Sequence, residues 1–131
     1  MRRMFRPISL LALPLLVFLV SACGGNQQAS VSSGEVVIEA EEWKFAPSSI
    51  RVEAGKPVKL ALKNTGKIEH NITVAGILAD GKDLQLVAKA GESASLEFTP
   101  AKAGVYEVAC TLPAHKESGM TGKIEIVTAG S

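Results

Sequence analysis

The chain has 131 residues, with 14 basic and 13 acidic side chains and a formal net charge of +1. One domain is the default for this length. Because basic and acidic side chains are nearly equal in number, the sequence lacks the basic stripe that nucleic-acid binding needs. It also has no run of five like charges, so it shows no charged tail.

The first 22 residues have the pattern of a secretory signal peptide. Arginines at positions 2, 3 and 6 are followed by the apolar run Ile8 to Ala22 and then by Cys23. A membrane anchor is the alternative. However, the run has 15 residues and includes Pro14, whereas a spanning helix needs about 20 residues. The pattern therefore predicts export.

The residues before Cys23 resemble a lipoprotein cleavage site. "VSAC" (Val20 to Cys23) is similar to the lipobox of bacterial lipoproteins, whose cysteine is lipidated and becomes the new N-terminus. Two or three acyl chains suffice for stable anchoring. A soluble exported protein cleaved nearby is the alternative. We expect a protein anchored by lipid to a bacterial membrane, with its domain facing the periplasm or the cell exterior.

Residues 23–34 are predicted to be a lipidated N-terminus and a flexible tether. Gly24 to Gly34 is small and polar, as flexible linkers are. Extended at ~3.3 Å per residue, the tether would reach roughly 35 Å. Beyond the signal peptide the chain keeps 11 basic and 13 acidic side chains, a formal charge of −2.

Residues 35–131 are predicted to be one domain of short β-strands. In the run from Pro57, Val58, Leu60 and Leu62 share one face, and residues 59, 61 and 63 share the other. Turn signals such as "EAGKP" and "ADGKD" separate such runs, and no long helical stripe appears. The runs begin at Glu35, Ser49, Pro57, His70, Asp83, Ala94, Gly104 and Gly122. This spacing predicts an all-β sandwich or barrel of about eight strands.

The stretch "CTLPAHKESGM" contains the first side chains that suggest a functional site. It places Cys110, His115 and Met120 at regular intervals in one loop between two predicted strands. With Cys23 assigned to lipid, Cys110 has no disulfide partner, which is unusual in an oxidising compartment. A buried cysteine acting as a small apolar residue is the alternative. The chain's only other histidine, His70, also lies beside a predicted strand.

This set of side chains is typical of blue copper. Two imidazoles and a thiolate in a trigonal plane, with a weak axial thioether, form that site. A zinc site would more often contain two or more cysteines and would leave the methionine unused. Each residue alone is more often structural, but a metal-free adhesion module would leave the Cys–His–Met spacing unexplained.

The domain resembles a cupredoxin of the plastocyanin and azurin type over roughly Val36 to Val127. "FAPSSIRVEAGKPVKLALKN" is similar to the family's early strands, "HNI" to its first-ligand motif and "CTLPAHKESGMTGKIEI" to its ligand loop. The spacing Cys-x₄-His-x₄-Met is closest to that of auracyanins. The resemblance implies a cupredoxin-like Greek-key β-sandwich that holds one type 1 copper ion.

The resemblance also implies roles for individual residues. The equatorial copper ligands would be His70, Cys110 and His115, and Met120 would be the axial ligand. The implied supporting contacts are a hydrogen bond from the Asn71 side chain near Thr111 and an approach of the Glu69 carbonyl to the copper opposite Met120. Trp43 is assigned to the core or its rim.

In the family, electrons pass through the edge of the second histidine. The resemblance places this path at the His115 patch, which we define as Leu112, Pro113, Ala114 and His115. It implies a monomeric, non-enzymatic electron carrier whose redox partners dock there transiently. The alternative is a lipoprotein that sequesters or delivers copper outside the cytoplasm.

Overall fold

The computed structural model describes residues 28–31 and 34–130. The predicted signal peptide, Cys23 and residues 24–27 lie outside the described residues. Within them no helix has the length and apolar character needed to cross a membrane. Ten strands are present there: β1 Gln28–Val31, β2 Gly34–Glu41, β3 Lys44–Ala46, β4 Ser49–Glu53, β5 Val58–Asn64, β6 His70–Val74, β7 Leu84–Ala88, β8 Ser93–Phe98, β9 Gly104–Ala109 and β10 Thr121–Val127.

The strands form a sandwich of two sheets. One has six strands in the order β1-β4-β10-β9-β6-β7, and the other has four in the order β3-β2-β5-β8. The prediction of an all-β sandwich is confirmed. The described residues hold two strands more than the eight expected, because β1 and β3 have only four and three residues. Runs this short carry no clear alternating pattern.

The core lies between the sheets and follows the predicted alternation. Val58, Leu60 and Leu62 are buried along β5, while Lys59 and Lys63 point outward. The two lysines pair with Glu35 and Glu39 of the parallel neighbour β2, at 3.1 and 2.9 Å. Each fully buried Leu or Val contributes about 1.5–3 kcal/mol to folding, so this face holds the two sheets together.

Strand β1 lies within the segment that the sequence predicts to be a tether. Gln28 to Val31 pair in parallel with β4, with Gln28 opposite Ser49. Strand β4 would otherwise be the edge of its sheet, with unpaired backbone N–H and C=O groups. Backbone pairing needs no apolar side chains, which is why the polar composition of this segment gave no signal for a strand.

One end of the sandwich gathers the predicted ligands. Strand β9 pairs with β10 so that Ala109 lies opposite Thr121, and residues 110–120 close this end as a loop. Strand β6 runs antiparallel to β9, with Thr73 opposite Ala109, so His70 extends to the same end. We call it the 110–120 end.

Candidate metal centre

Three of the four predicted ligands converge at the 110–120 end. The Sγ atom of Cys110 lies 3.1 Å from Nδ1 of His115, and the Nδ1 atoms of His70 and His115 are 3.3 Å apart. One ligand atom from each residue lies within 4.8 Å of the others. Cys110 and His70 are fully buried, and His115 is 8% exposed. Three soft or borderline donors therefore face a single point that is shielded from water.

Backbone hydrogen bonds hold the ligand loop closed. The N–H of Cys110 donates to the Met120 carbonyl at 3.1 Å, and the N–H of Met120 donates to the His115 carbonyl at 3.2 Å. These bonds hold the backbones of Cys110, His115 and Met120 together. The Met120 side chain is fully buried in the core. The cluster of converging ligand atoms consists of His70, Cys110 and His115. The axial role of Met120 therefore stays a prediction.

Ala114 has an unusual backbone conformation beside His115. Its φ is 67°, in the left-handed region, which costs a residue with a Cβ roughly 1–2 kcal/mol. Its carbonyl accepts hydrogen bonds from the Ser118 N–H at 3.1 Å and from the Ser118 hydroxyl at 2.7 Å. The loop thus keeps a strained residue next to a candidate ligand, where the surrounding bonds hold it in place.

Asn71 connects the two chain segments that carry the ligands. Its Nδ2 donates to the Thr111 hydroxyl at 3.0 Å, and its Oδ1 accepts the Thr111 N–H at 2.7 Å. The predicted contact between these side chains is therefore present. It joins the residue after His70 to the residue after Cys110.

Asn64 is a supporting residue that the sequence analysis did not single out. It is 1% exposed. Its Nδ2 donates to the carbonyls of Ile68 and Ala88 at 2.7 and 2.9 Å, and its Oδ1 accepts the Gly66 N–H at 2.9 Å. The side chain thus fixes the turn that leads from β5 into His70. No local pattern marks this role, because it depends on the path of the turn.

Glu42, in the turn between β2 and β3, lies behind His70. Its Oε1 accepts the N–H groups of Lys67 and Ile68 at 2.7 and 3.1 Å and lies 3.4 Å from Nε2 of His70. The Lys67 N–H is the largest of several hydrogen bonds that lower the pKa of this carboxyl to about 2, against a smaller opposing effect of burial. Glu42 is therefore ionised at neutral pH. Glu42 was not predicted from the sequence to contact the site.

The electrostatic surroundings favour a neutral His70. Burial lowers its pKa, and the nearby His115 acts in the same direction, while contact with Glu42 opposes both. The separation of 3.4 Å from Glu42 is long for an N–H···O hydrogen bond, and Nε2 has no hydrogen-bond partner among the described residues. A neutral imidazole is the form that binds a metal, and Nδ1 of His70 faces Nδ1 of His115 at 3.3 Å.

Trp43 lies against the other imidazole. Its ring meets that of His115 edge to face, with centroids 4.9 Å apart and planes at 77°. Trp43 is 43% exposed. It therefore lies at the rim of the core and not inside it, which are the two positions that the sequence suggested. Its contact with a candidate ligand was not foreseen.

The His115 patch surrounds the least buried part of the cluster. Pro113 and Ala114 are exposed, and Leu112 is half-buried. Lys116 forms an ion pair with Glu107 beside the patch. Glu69 is exposed, and the predicted approach of its carbonyl to the metal stays a prediction.

The donor set fits copper. A thiolate and two imidazoles in a buried, closed cluster are the equatorial set of a type 1 copper site, and the fully buried Met120 follows in the same loop. Carboxylates, which calcium or magnesium would need, are absent from the three-residue cluster. His70 would hold the ion through Nδ1, with Glu42 behind its other nitrogen.

Comparison with known proteins identifies the class. Residues 10–126 match the family described as the cupredoxin-like domain. The chain therefore belongs to this family and is a copper-binding cupredoxin.

Particular relatives are copper proteins as well. The copper-resistant cuproprotein CopI of Rubrivivax gelatinosus is 30% identical over 105 residues, which cover 69% of this chain and 64% of that relative. This chain thus spans less than two thirds of the length of that relative. CopI of Pseudomonas aeruginosa is 26% identical over an alignment of 149 positions, covering 80% of this chain and 82% of the relative.

Solved structures show the same fold. Auracyanin A, a "blue" copper protein from Chloroflexus aurantiacus, superposes with a TM-score of 0.61 at 24% identity, covering 73% of this chain and all of that one. The expected similarity to auracyanins is thus found at the level of the fold.

Proposed function

We propose that this cupredoxin carries single electrons between redox partners. The observation that carries the proposal is that His70, Cys110 and His115 already lie within 4.8 Å of one another around one point. A bound copper ion supplies the chemistry by cycling between Cu(I) and Cu(II). Because the donors are held by the fold, little has to rearrange when one electron arrives or leaves.

Each ligand has a distinct part in this proposal. The Cys110 thiolate would stabilise Cu(I) and couple strongly to Cu(II), and the two imidazoles would suit both oxidation states. Met120 would hold the ion weakly through its thioether and keep the reduction potential high. The hydrogen bonds between Asn71 and Thr111 keep the Cys110 and His70 segments at a fixed separation.

The proposal describes a carrier and not an enzyme. Both histidines of the chain belong to the cluster, so a second copper centre cannot be built from imidazoles. Redox partners would dock briefly on the His115 patch of a monomer, through the small interface typical of electron transfer. We further propose export and attachment to a bacterial membrane through lipid on Cys23, as the signal sequence suggests.

A second candidate is copper sequestration or delivery. The names of the two CopI relatives, as copper-resistant cuproproteins, favour it. The same ligands would serve. The difference lies in the lifetime of the bound ion, because a carrier keeps its copper through many redox cycles and a delivery protein passes it to an acceptor.

The first experiment adds Cu(II) to the purified full-length chain in detergent and records the visible spectrum. We expect an intense band in the red that disappears on reduction and is absent from Cys110→Ser, the sign of thiolate-to-copper charge transfer. A colourless protein whose thiol is shown to be reduced would rule out both candidates. Repeated redox cycling in the presence of a copper chelator then separates them, since only a delivery protein should lose its band.

A further inference from the structure

The turn between β2 and β3 contacts both imidazoles of the copper site. Glu42 lies 3.4 Å from Nε2 of His70, and the neighbouring Trp43 packs edge to face on His115 at 4.9 Å. The turn contributes no ligand. We propose that it is a clamp, with the Glu42 carboxylate and the Trp43 indole as its two arms, that positions both imidazoles and slows the loss of copper.

The Glu42 arm is built into the structure. A single oxygen, Oε1, meets two backbone N–H groups and the His70 ring. The chain makes room for it at Gly66, where a Cβ would lie 2.5 Å from that oxygen. Because Lys67 and Ile68 lie only three and two residues before His70, the carboxylate ties the turn to the strand that carries this candidate ligand.

This contact selects one form of the His70 ring. An anionic oxygen facing Nε2 favours the tautomer with its proton on that nitrogen. The Nδ1 atom, 3.3 Å from Nδ1 of His115, then carries the free lone pair and is ready for the metal. Carboxylates behind ligating histidines act in this way, and their loss typically weakens metal binding about 10- to 100-fold.

The Trp43 arm limits the movement of His115. This ligand lies in the loop and is the less buried of the two imidazoles, at 8% exposed against 0% for His70. The indole covers one side of the ring, and the edge-to-face geometry is a favourable one for aromatic pairs. Without it, water and competing chelators could reach the His115 side of the copper directly.

The inference rests on the proposed function in that it concerns the same copper ion. It goes further by assigning retention of the ion to residues that do not bind it. In a protein with this clamp, copper loss should be limited by the movement of an imidazole away from the turn.

The kinetic test measures copper loss from the full-length chain in the presence of excess chelator. Glu42→Ala and Trp43→Ala should each lose the red band at least about 10-fold faster than the wild type. Trp43→Phe keeps an aromatic ring and should stay close to the wild-type rate. Two distant variants serve as matched controls and should not change it: Glu35→Gln, in an exposed ion pair on β2, and Val105→Ala, at a 68% exposed position on β9.

A second measurement needs no copper. In ¹⁵N-detected NMR of the metal-free chain, His70 should be the Nε2–H tautomer in the wild type and a mixture of tautomers in Glu42→Ala. If Glu42→Ala does not fold, Glu42→Gln preserves an oxygen for the two N–H groups and should still shift the tautomer ratio. Wild-type rates in both alanine variants, or an unchanged tautomer, would overturn the clamp. A wild type that binds no copper but shows the expected tautomer would count against the proposed function alone.

Discussion

Replacing Asn64 by alanine should destabilise the protein more than the same replacement at Asn71, the other side-chain amide beside the candidate copper site. The side chain makes three hydrogen bonds of 2.7–2.9 Å and is 1% exposed. At about 1 kcal/mol net for each bond, the loss is about 3 kcal/mol. For a domain of this size that lowers the melting temperature by roughly 10–20 °C.

Asn71→Ala is the matched control. Asn71 also loses hydrogen bonds, all of them to Thr111, but Asn71 is only half-buried and Thr111 is exposed. Water can replace these bonds, so the cost should be about 1 kcal/mol or less. Asn64→Asp keeps the acceptor for Gly66 but turns a carboxylate toward two carbonyl oxygens, and it should be at least as damaging as Asn64→Ala.

The assay is chemical denaturation of the metal-free chain, followed by circular dichroism and analysed as a two-state transition. The copper-loaded Asn64→Ala variant should also show a shifted visible band, because the turn that leads to His70 is released. A loss of stability in Asn64→Ala no larger than in Asn71→Ala would refute the argument that the buried amide holds this turn.

Four further predictions concern the site and its surroundings. Met120→Leu should keep copper and raise the reduction potential, because a hydrocarbon stabilises Cu(II) less than a thioether does. Voltammetry measures this potential, and loss of copper from the variant would show that the axial assignment is wrong. Gly122→Ala should cost about 1–3 kcal/mol in thermal unfolding, since its Cβ would lie 2.7 Å from the Ser48 carbonyl oxygen; an unchanged midpoint would contradict that contact. The fluorescence of Trp43, the sole tryptophan, should be quenched when Cu(II) binds, because its ring lies 4.9 Å from that of His115; unquenched emission at full copper loading would place the ion elsewhere. Electron transfer to a soluble partner should depend weakly on ionic strength, because the chain beyond the signal peptide has a formal charge of only −2; a steep dependence in stopped-flow measurements would reveal a charged docking surface.

The sequence, together with the family resemblance, was sufficient to predict the fold class and the cluster of His70, Cys110 and His115. Alternation along β5 predicted that Val58, Leu60 and Leu62 are buried, because strand periodicity is a local property. It did not predict that Ala61, on the opposite face between the two lysines, is buried as well. The spacing of Cys110, His115 and Met120 was visible because they share one loop. The meeting of His70 with that loop needed the family resemblance, since 40 residues separate it from Cys110.

The supporting residues could not be predicted, for a physical reason. Asn64 and Glu42 act on backbone groups whose positions depend on the path of a turn, and neither leaves a periodic trace in the sequence. Trp43 was placed at the core or rim because an aromatic residue near a strand is usually found there. Only the packing of the two sheets brings it to His115.

The pairing of β1 with β4 has a consequence for how the protein would meet a membrane. Gln28 lies opposite Ser49, and Ser49 lies opposite Lys123, two residues beyond the start of β10. The chain therefore enters the sandwich at the 110–120 end, where the candidate copper ligands are. Gln28 is five positions after Cys23, a reach of at most about 18 Å.

A lipid on Cys23 would therefore hold the copper close to the bilayer surface instead of at the far pole of the domain. Such an orientation favours exchange with proteins embedded in that membrane over exchange with diffusing ones. Spin-labelled lipids in vesicles carrying the lipidated chain would show it, because their relaxation should be enhanced by a nearby Cu(II) and unaffected by a distant one.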